Sequence, residues 1–465
     1  MHKMNLGENI RHIHFIGIGG ISMSGLAEIL HKDGYTITGS DWIASDITQH
    51  LMNQGIGVSL GNDAAHITKE MDLVVHTAAV KPNNPELTAA RNMQIPTLDR
   101  AQLLGKMMHG YPYSVAIAGS HGKTTTTAIV SEVCLAAELD PTISIGGYME
   151  AIGSNFRVGK SQYLVIEACE YFDSFLQFYP HVGVILNIDS DHLDYFGTLE
   201  RLINSFRRFA QNIPPEGTLV IHGGIPCLKE IIDGLSCRVF IYGTEDADFW
   251  AEDIRYNEEG QPSFTIASKN SIEKKNVSLI LRGAHNIDNA LATAAVADVL
   301  GIPAKPLING LNSAIGAKRR FEHKGMFNGV TVVDDYAHHP TEIRASLSAA
   351  KNGPHKRIVC AFQSHTYSRT QNLLDEFVAS FEQADLILIL PVFASREAIS
   401  TELSPNYLSQ LLVERLREQG KEAYFSENFE NATSWLIAHT RPQDLLITMG
   451  AGDIHLLAER LVGDK

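Results

Sequence analysis

Twice in this chain an apolar run ends in glycines and passes at once into a helix-forming stretch. Residues 14–20 read HFIGIGG before ISMSGLAEIL, and residues 116–122 read AIAGSHG before KTTTTAIV. A strand that turns directly into a helix commits a chain to βαβ units and hence to parallel sheets. The alternation persists. YTITGSD and MDLVVHTAAV read as strands of the first unit, and SQYLVIEACE and HVGVILNID as buried strands of the second. GVTVVDD, KRIVCAF, ADLILILPV and QDLLITMG read as strands of a third. DRAQLLGKMMHGYPY reads as a helix and linker, and the basic stretch GAKRRFEHKG marks another boundary. The expected architecture is therefore three α/β domains in series, over residues 1–110, 111–318 and 319–465.

A length of 465 residues fits two to four domains at about 100–200 residues each. No run of 18 apolar residues occurs, and the N-terminal stretch lacks an apolar signal core, so no membrane partner is expected. A net charge of −15 disfavours nucleic acid, whose phosphates need clustered Lys and Arg. The five cysteines form no CxxC pair, which fits free thiols in a reducing, cytoplasmic setting.

The first glycine turn offers Gly17, Gly19 and Gly20 at a helix N-terminus, a setting for a diphosphate. Asp41 ends the next strand, where a ribose-binding carboxylate often lies. Ser22 takes the third glycine position, and no hydride-transfer site is evident downstream, so the turn suits a nucleotide-diphosphate handle better than a dehydrogenase site. The second turn is a shortened P-loop, with only Ser120 and His121 between Gly119 and Gly122. Lys123 is expected on terminal phosphates and Thr124 on Mg²⁺. Thr125, Thr126 and Thr127 enter the helix, and at least one of them is expected in its core or on its surface. Glu167 ends the strand YLVIE as a metal-holding acid would, and His192 in NIDSDHLDYFG is the expected second metal ligand. Asp189, Asp191 and Asp194 are expected at the surface or one layer behind it. A loop that holds ATP beside a separate diphosphate turn points to ATP-driven chemistry on a nucleotide-linked substrate.

GSHGKTTTT, IEACE, NIDSDHLDYFGTLE, GAHNIDNA, RRFE and DDYAHHPTEI, in this order over essentially the whole chain, resemble the Mur ligases of peptidoglycan synthesis. The resemblance implies a Rossmann-like UDP-binding N-terminal domain, a central P-loop ATPase and a Rossmann-like C-terminal domain that brings the amino acid. HFIGIGGISMSGLAEIL and DDYAHHPTE look most like the branch that joins L-alanine to UDP-N-acetylmuramate through an acyl phosphate. The rival branch attaches a tripeptide in murein recycling.

By the same resemblance, Gly119, Ser120, His121, Gly122, Lys123, Thr124 and Thr125 would hold ATP, with Mg²⁺ on Thr124 and Glu167 and a second metal on His192. Asn286 and Asn289 would meet adenine; on residue type alone they read as surface polar groups sharing a helix face. Arg320 and Asp335 would reach ATP on closure, and Arg319 reads as a solvated neighbour. His338 and Arg369 would receive the alanine, Arg369 through its bidentate fork. Of the pair His338 and His339, at most one is expected to face the site. Phe206 stands where sister ligases carry a carbamylated lysine, which fits the alanine branch. Thr366 stands where some members have arginine, which leaves Arg369 as the carboxylate contact. The expected assembly is a monomer or weak homodimer.

Overall fold

A computed structural model describes residues 6–77, 80–269, 271–395, 397 and 405–463. Its contacts divide the chain into two units. One comprises residues 1–250, 268–272 and 290–310, the other residues 251–267, 273–289 and 311–465.

The first unit carries two sheets. β1 (His12–Ile16), β2 (Thr36–Asp41), β3 (Gly57–Leu60), β4 (Leu73–His76) and β5 (Thr97–Asp99) form a parallel sheet in the order β3-β2-β1-β4-β5. Buried parallel strands need apolar side chains on both faces. β1 supplies them with Ile13, Phe15 and Ile16, all at 1% exposure or less. The helix Ile21–Lys32 leaves the glycine turn and packs its face of Met23, Leu26 and Leu30 into the core.

The second sheet is built on β6 (Tyr113–Ala118), β7 (Thr142–Met149), β8 (Ser154–Arg157), β9 (Tyr163–Glu167), β10 (Val182–Ile185), β11 (Thr218–His222) and β12 (Arg238–Tyr242). Their order is β12-β11-β10-β6-β9-β7-β8, parallel except for β8. Gly25 of the first helix lies against Phe156 of β8, where an added Cβ would come within 2.1 Å of the ring. That contact welds the first sheet's layer to the second. Phe206 is fully buried and meets Phe175 edge to face, so the position expected to lack a lysine is a core position.

Mostly in the second unit, β13 (Phe249–Tyr256), β14 (Pro262–Ser268) and β15 (Ser271–Ser278) lie in the order β15-β14-β13. β16 (Glu322–Phe327), β17 (Val330–Asp335), β18 (Arg357–Phe362), β19 (Leu386–Ile389), β20 (Ala423–Phe425) and β21 (Asp444–Met449) form a sheet in the order β16-β17-β21-β18-β19-β20. Only β16 runs antiparallel. β21 returns between β17 and β18, so the carboxyl ends of these three strands frame a topological switch point, where open α/β sheets bind ligands.

Candidate active site

The shortened loop is built by two left-handed glycines. Gly119 has φ +147° and Gly122, the N-cap of the helix Lys123–Ala136, has φ +82°. Side chains rarely adopt such angles. The loop is laced to the segment after β10. Ser120 N donates to Asn187 O, and Ser120 Oγ donates to Asp189 O at 3.1 Å and accepts from Asp189 N at 2.9 Å. His121 N donates to Asn187 Oδ1 at 2.8 Å, and Asn187 Nδ2 returns a bond to His121 O. His121 Nε2 lies 3.1 Å from Asp189 Oδ2. Asp189 and Asn187 are thus scaffolding for the loop.

The structure sets Thr124 against Glu167 and brings Lys123 and His192 to a shared neighbour, Glu170. Thr124 Oγ1 donates to Glu167 Oε1 at 3.1 Å. Gly146 N donates to Glu167 Oε2 at 2.7 Å, fixing the carboxylate on the side facing the threonine. His192 has left-handed φ +55° and stacks its ring on Tyr171 with centroids 4.4 Å apart. Thr126 and Thr127 are wholly buried, and Thr127 Oγ1 bonds back to Lys123 O. Asp191, expected at the surface or one layer behind it, is 6% exposed and accepts from His192 N at 2.7 Å.

Sequence reasoning missed Glu170. Its carboxylate is buried, 2.9 Å from Lys123 Nζ and 3.8 Å from His192 Nε2. Lys123 also donates to Gly119 O and Ser120 O. Burial pulls the ammonium's pKa down, but Glu170 outweighs it and the net shift is upward, so Lys123 stays charged. The only signal was the second acid of IEACE, three residues after Glu167. The hydroxyl, carboxylates and imidazole here are donors suited to a divalent cation.

At the first glycine turn, Gly17 has φ +81°, and Gly17 N and Ile18 N both donate to Ser40 O. Asp41, expected beside a ribose, braces the turn by accepting from Gly19 N at 2.8 Å. Behind it Ser40 Oγ donates to Glu86, a carboxylate with no exposure that also meets His66 Nδ1 at 2.7 Å.

Within the second unit, Asn286 and Asn289 are buried rather than at the surface, because they pair with each other: Asn289 Nδ2 donates to Asn286 Oδ1 at 2.9 Å. Asp335 is buried, accepts from Ala337 N and from Ser346 Oγ, and feels the Arg320 charge. Burial dominates and raises its pKa to about 6. Arg319, expected to be solvated, is instead a pin. Its guanidinium bonds Asp334, Gly450 O and Gly452 O, a set of partners that only the folded sheet brings together.

His338 Nδ1 meets Tyr336 O and Glu342, and its ring lies 5.5 Å from that of His365. His339 is 4% exposed and caps the helix Pro340–Lys351. Thr366, at φ +64°, caps the helix Tyr367–Asn372 that carries Arg369.

Three family models tile the sequence: "Mur ligase family, catalytic domain" over residues 12–112, "Mur ligase middle domain" over 117–297 and "Mur ligase, glutamate ligase domain" over 319–452. The chain belongs to the Mur ligase family. It is similar to the UDP-N-acetylmuramate–L-alanine ligases of Acetivibrio thermocellus (46% identity, 98% of this chain and 96% of that one) and Agathobacter rectalis (46%, 99% and 100%). Among solved structures it resembles the UDP-N-acetylmuramate–alanine ligase of Thermotoga maritima, with TM-score 0.76 and 28% identity over 97% of this chain and 98% of that one. A murein peptide ligase from Psychrobacter arcticus gives TM-score 0.66 at 25% identity over 97% and 98%. The three-domain organisation of Mur ligases is therefore that of this chain. Among the described residues, no helix is long and apolar enough to cross a membrane.

Proposed function

We propose that this Mur ligase joins L-alanine to UDP-N-acetylmuramate at the expense of ATP, in the cytoplasmic steps of cell-wall synthesis. The observation that carries the reading is the gathering of Glu167 and His192 around Lys123 and Thr124, which leave a loop too short for an ordinary P-loop. The full-length similarity to alanine-adding relatives supports the same choice of substrates.

Domain limits near residues 110 and 318 divide the work. Gly17, Gly19 and Gly20 take the diphosphate of the UDP-linked substrate, with Asp41 setting the turn. Residues 119–125 cradle the ATP phosphates, and Asn286, Asn289, Arg320 and Asp335 are nucleotide-binding residues. Thr124 and Glu167 would hold one Mg²⁺ and His192 a second. Bound there, the cations would supply neutralisation of the phosphate charge.

The chemistry then needs no enzyme nucleophile. A carboxylate oxygen of the muramoyl group forms a bond to the γ-phosphorus as the bond to ADP breaks, giving an acyl phosphate. The amine of alanine attacks the acyl carbon, the nitrogen gives up a proton, and inorganic phosphate leaves with its bonding electrons. Lys123 offsets charge on the transferred phosphoryl group. Arg369 and His338 orient the amino acid.

The test is phosphate release by the full chain with UDP-N-acetylmuramate, ATP-Mg²⁺ and either L-alanine or the murein tripeptide. Rapid release is expected only with alanine. Release with the tripeptide alone would overturn the reading in favour of the recycling reaction.

A further inference from the structure

The carboxyl ends of β17, β18 and β21 hold a polar group that the roles above leave unused. Gln363 directly follows β18, its backbone N donates to Met449 O, and its side chain is 6% exposed. Its Oε1 is buried with no hydrogen-bond partner. An unmet buried acceptor costs about 1–3 kcal/mol, so a leucine of similar size would be the more stable choice here.

The surroundings are arranged to keep that oxygen in place. Arg319 clamps Gly450 O and Gly452 O, which holds the GAGD turn against Gln363. Gly452 lies so close that an added Cβ would fall 2.5 Å from Gln363 Oε1 and 2.7 Å from the Phe393 ring. The Phe393 ring stacks at 6.0 Å on His365, which lies 5.5 Å from His338. Gln363 is thus the far end of a continuous cluster that begins at His338. Arg369 lies six residues further along the chain.

An L-amino acid with an apolar side chain has one kind of donor, its amine. Arginine donors suit its carboxylate, and a carbonyl oxygen suits the amine. We infer that Gln363 accepts a hydrogen bond from the amine of the incoming amino acid and is a specificity-determining residue for that substrate. This rests on the ligase reading above. A site with an acceptor at this point favours substrates that satisfy it over isosteres that leave it unpaired.

The test uses steady-state kinetics of the full chain. Gln363→Leu is expected to raise KM for L-alanine about tenfold or more, the loss of one hydrogen bond to a charged or polar donor. KM for ATP and UDP-N-acetylmuramate should stay unchanged. Gln363→Glu keeps the acceptor and should remain within a few-fold of wild type. Gly452→Ala, which crowds Oε1, should reproduce the leucine effect. Propionate lacks the amine and should inhibit wild type and Gln363→Leu equally. An unchanged alanine KM in Gln363→Leu would overturn the proposal. So would a Gln363→Glu variant as impaired as Gln363→Leu, because the group would then be donating to a carboxylate. A wild-type chain that releases no phosphate with alanine would instead defeat the ligase reading and is told apart by that control.

Discussion

The Lys123 ammonium and the buried Glu170 carboxylate sit 2.9 Å apart, so the lysine meant for phosphate is neutralised from within before any nucleotide arrives. Removing one partner of such a pair leaves the other charge unpaired, at about 3–5 kcal/mol. Glu170→Gln is therefore expected to melt at a lower temperature than wild type without nucleotide. ATP phosphates would then give Lys123 a replacement partner. Thermal melting with and without a non-hydrolysable ATP analogue should show a larger ligand-induced rise in the variant. Equal rises would mean that the pair does not compete with phosphate.

Glu86 ties the first sheet together behind the glycine turn. Burial pushes its pKa upward, but the neighbouring His14 ring at 3.7 Å and hydrogen bonds from Ser40 and His66 outweigh that and leave it below the usual carboxylate value. A depressed pKa adds stability above the unfolded value of 4.5, which is lost as pH falls through the folded value. Glu86→Gln should cost about 2 kcal/mol at neutral pH. Its stability should also fall less steeply than wild type's below pH 4.5. Denaturant melts across pH 3–7 check both, and parallel curves would refute the assignment.

How far these sites were legible depends on how local their geometry is. Lys123, Thr124 and Glu167 could be paired from sequence because each lies beside the end of an apolar strand, and those strands, β6 and β9, pair in parallel. Glu170 could not, since its role depends on a left-handed backbone at Phe172 and Asp173 just beyond it and on His192 folding back. Arg319 gave no signal at all. Its partners Gly450 and Gly452 are 131 and 133 residues away, and only the insertion of β21 between β17 and β18 brings them close. Asn286 and Asn289 were placed on one face correctly. Their burial came from each satisfying the other, which residue type alone does not reveal.

Asp335 runs opposite to Glu86. Burial lifts its pKa from 3.8 to about 6, against the offsetting bonds of Ser346 and Ala337 and the Arg320 charge. A raised carboxyl pKa means that folding loses stability as pH climbs through that interval, with the full penalty in place above about 6. Asp335→Asn removes the penalty while Ser346 can still hydrogen-bond the amide. The variant should gain up to about 3 kcal/mol over wild type at pH 7.5, the free-energy equivalent of that rise in pKa. That gain should shrink toward pH 4. If Asp335 meets ATP as proposed, activity should fall in the same variant. Chemical denaturation at the two pH values provides the check; a gain independent of pH would contradict it.

Gly146 sits where a side chain would strike the proposed metal ligand. A Cβ there would lie 2.8 Å from both Glu167 oxygens, closer than carbon and oxygen tolerate. Its backbone N–H also aims the carboxylate at Thr124. In Gly146→Ala the carboxylate has to rotate away, because the backbone of β7 is held by β9. Gly146 itself is exposed, so the substitution leaves the core intact. The expected result is a half-saturating Mg²⁺ concentration raised about tenfold, in line with loss of a support for a metal ligand. The melting temperature should move little. Titration of phosphate release with Mg²⁺ measures the first and a thermal melt the second. A wild-type Mg²⁺ dependence in the variant would show that Glu167 is not the metal's carboxylate.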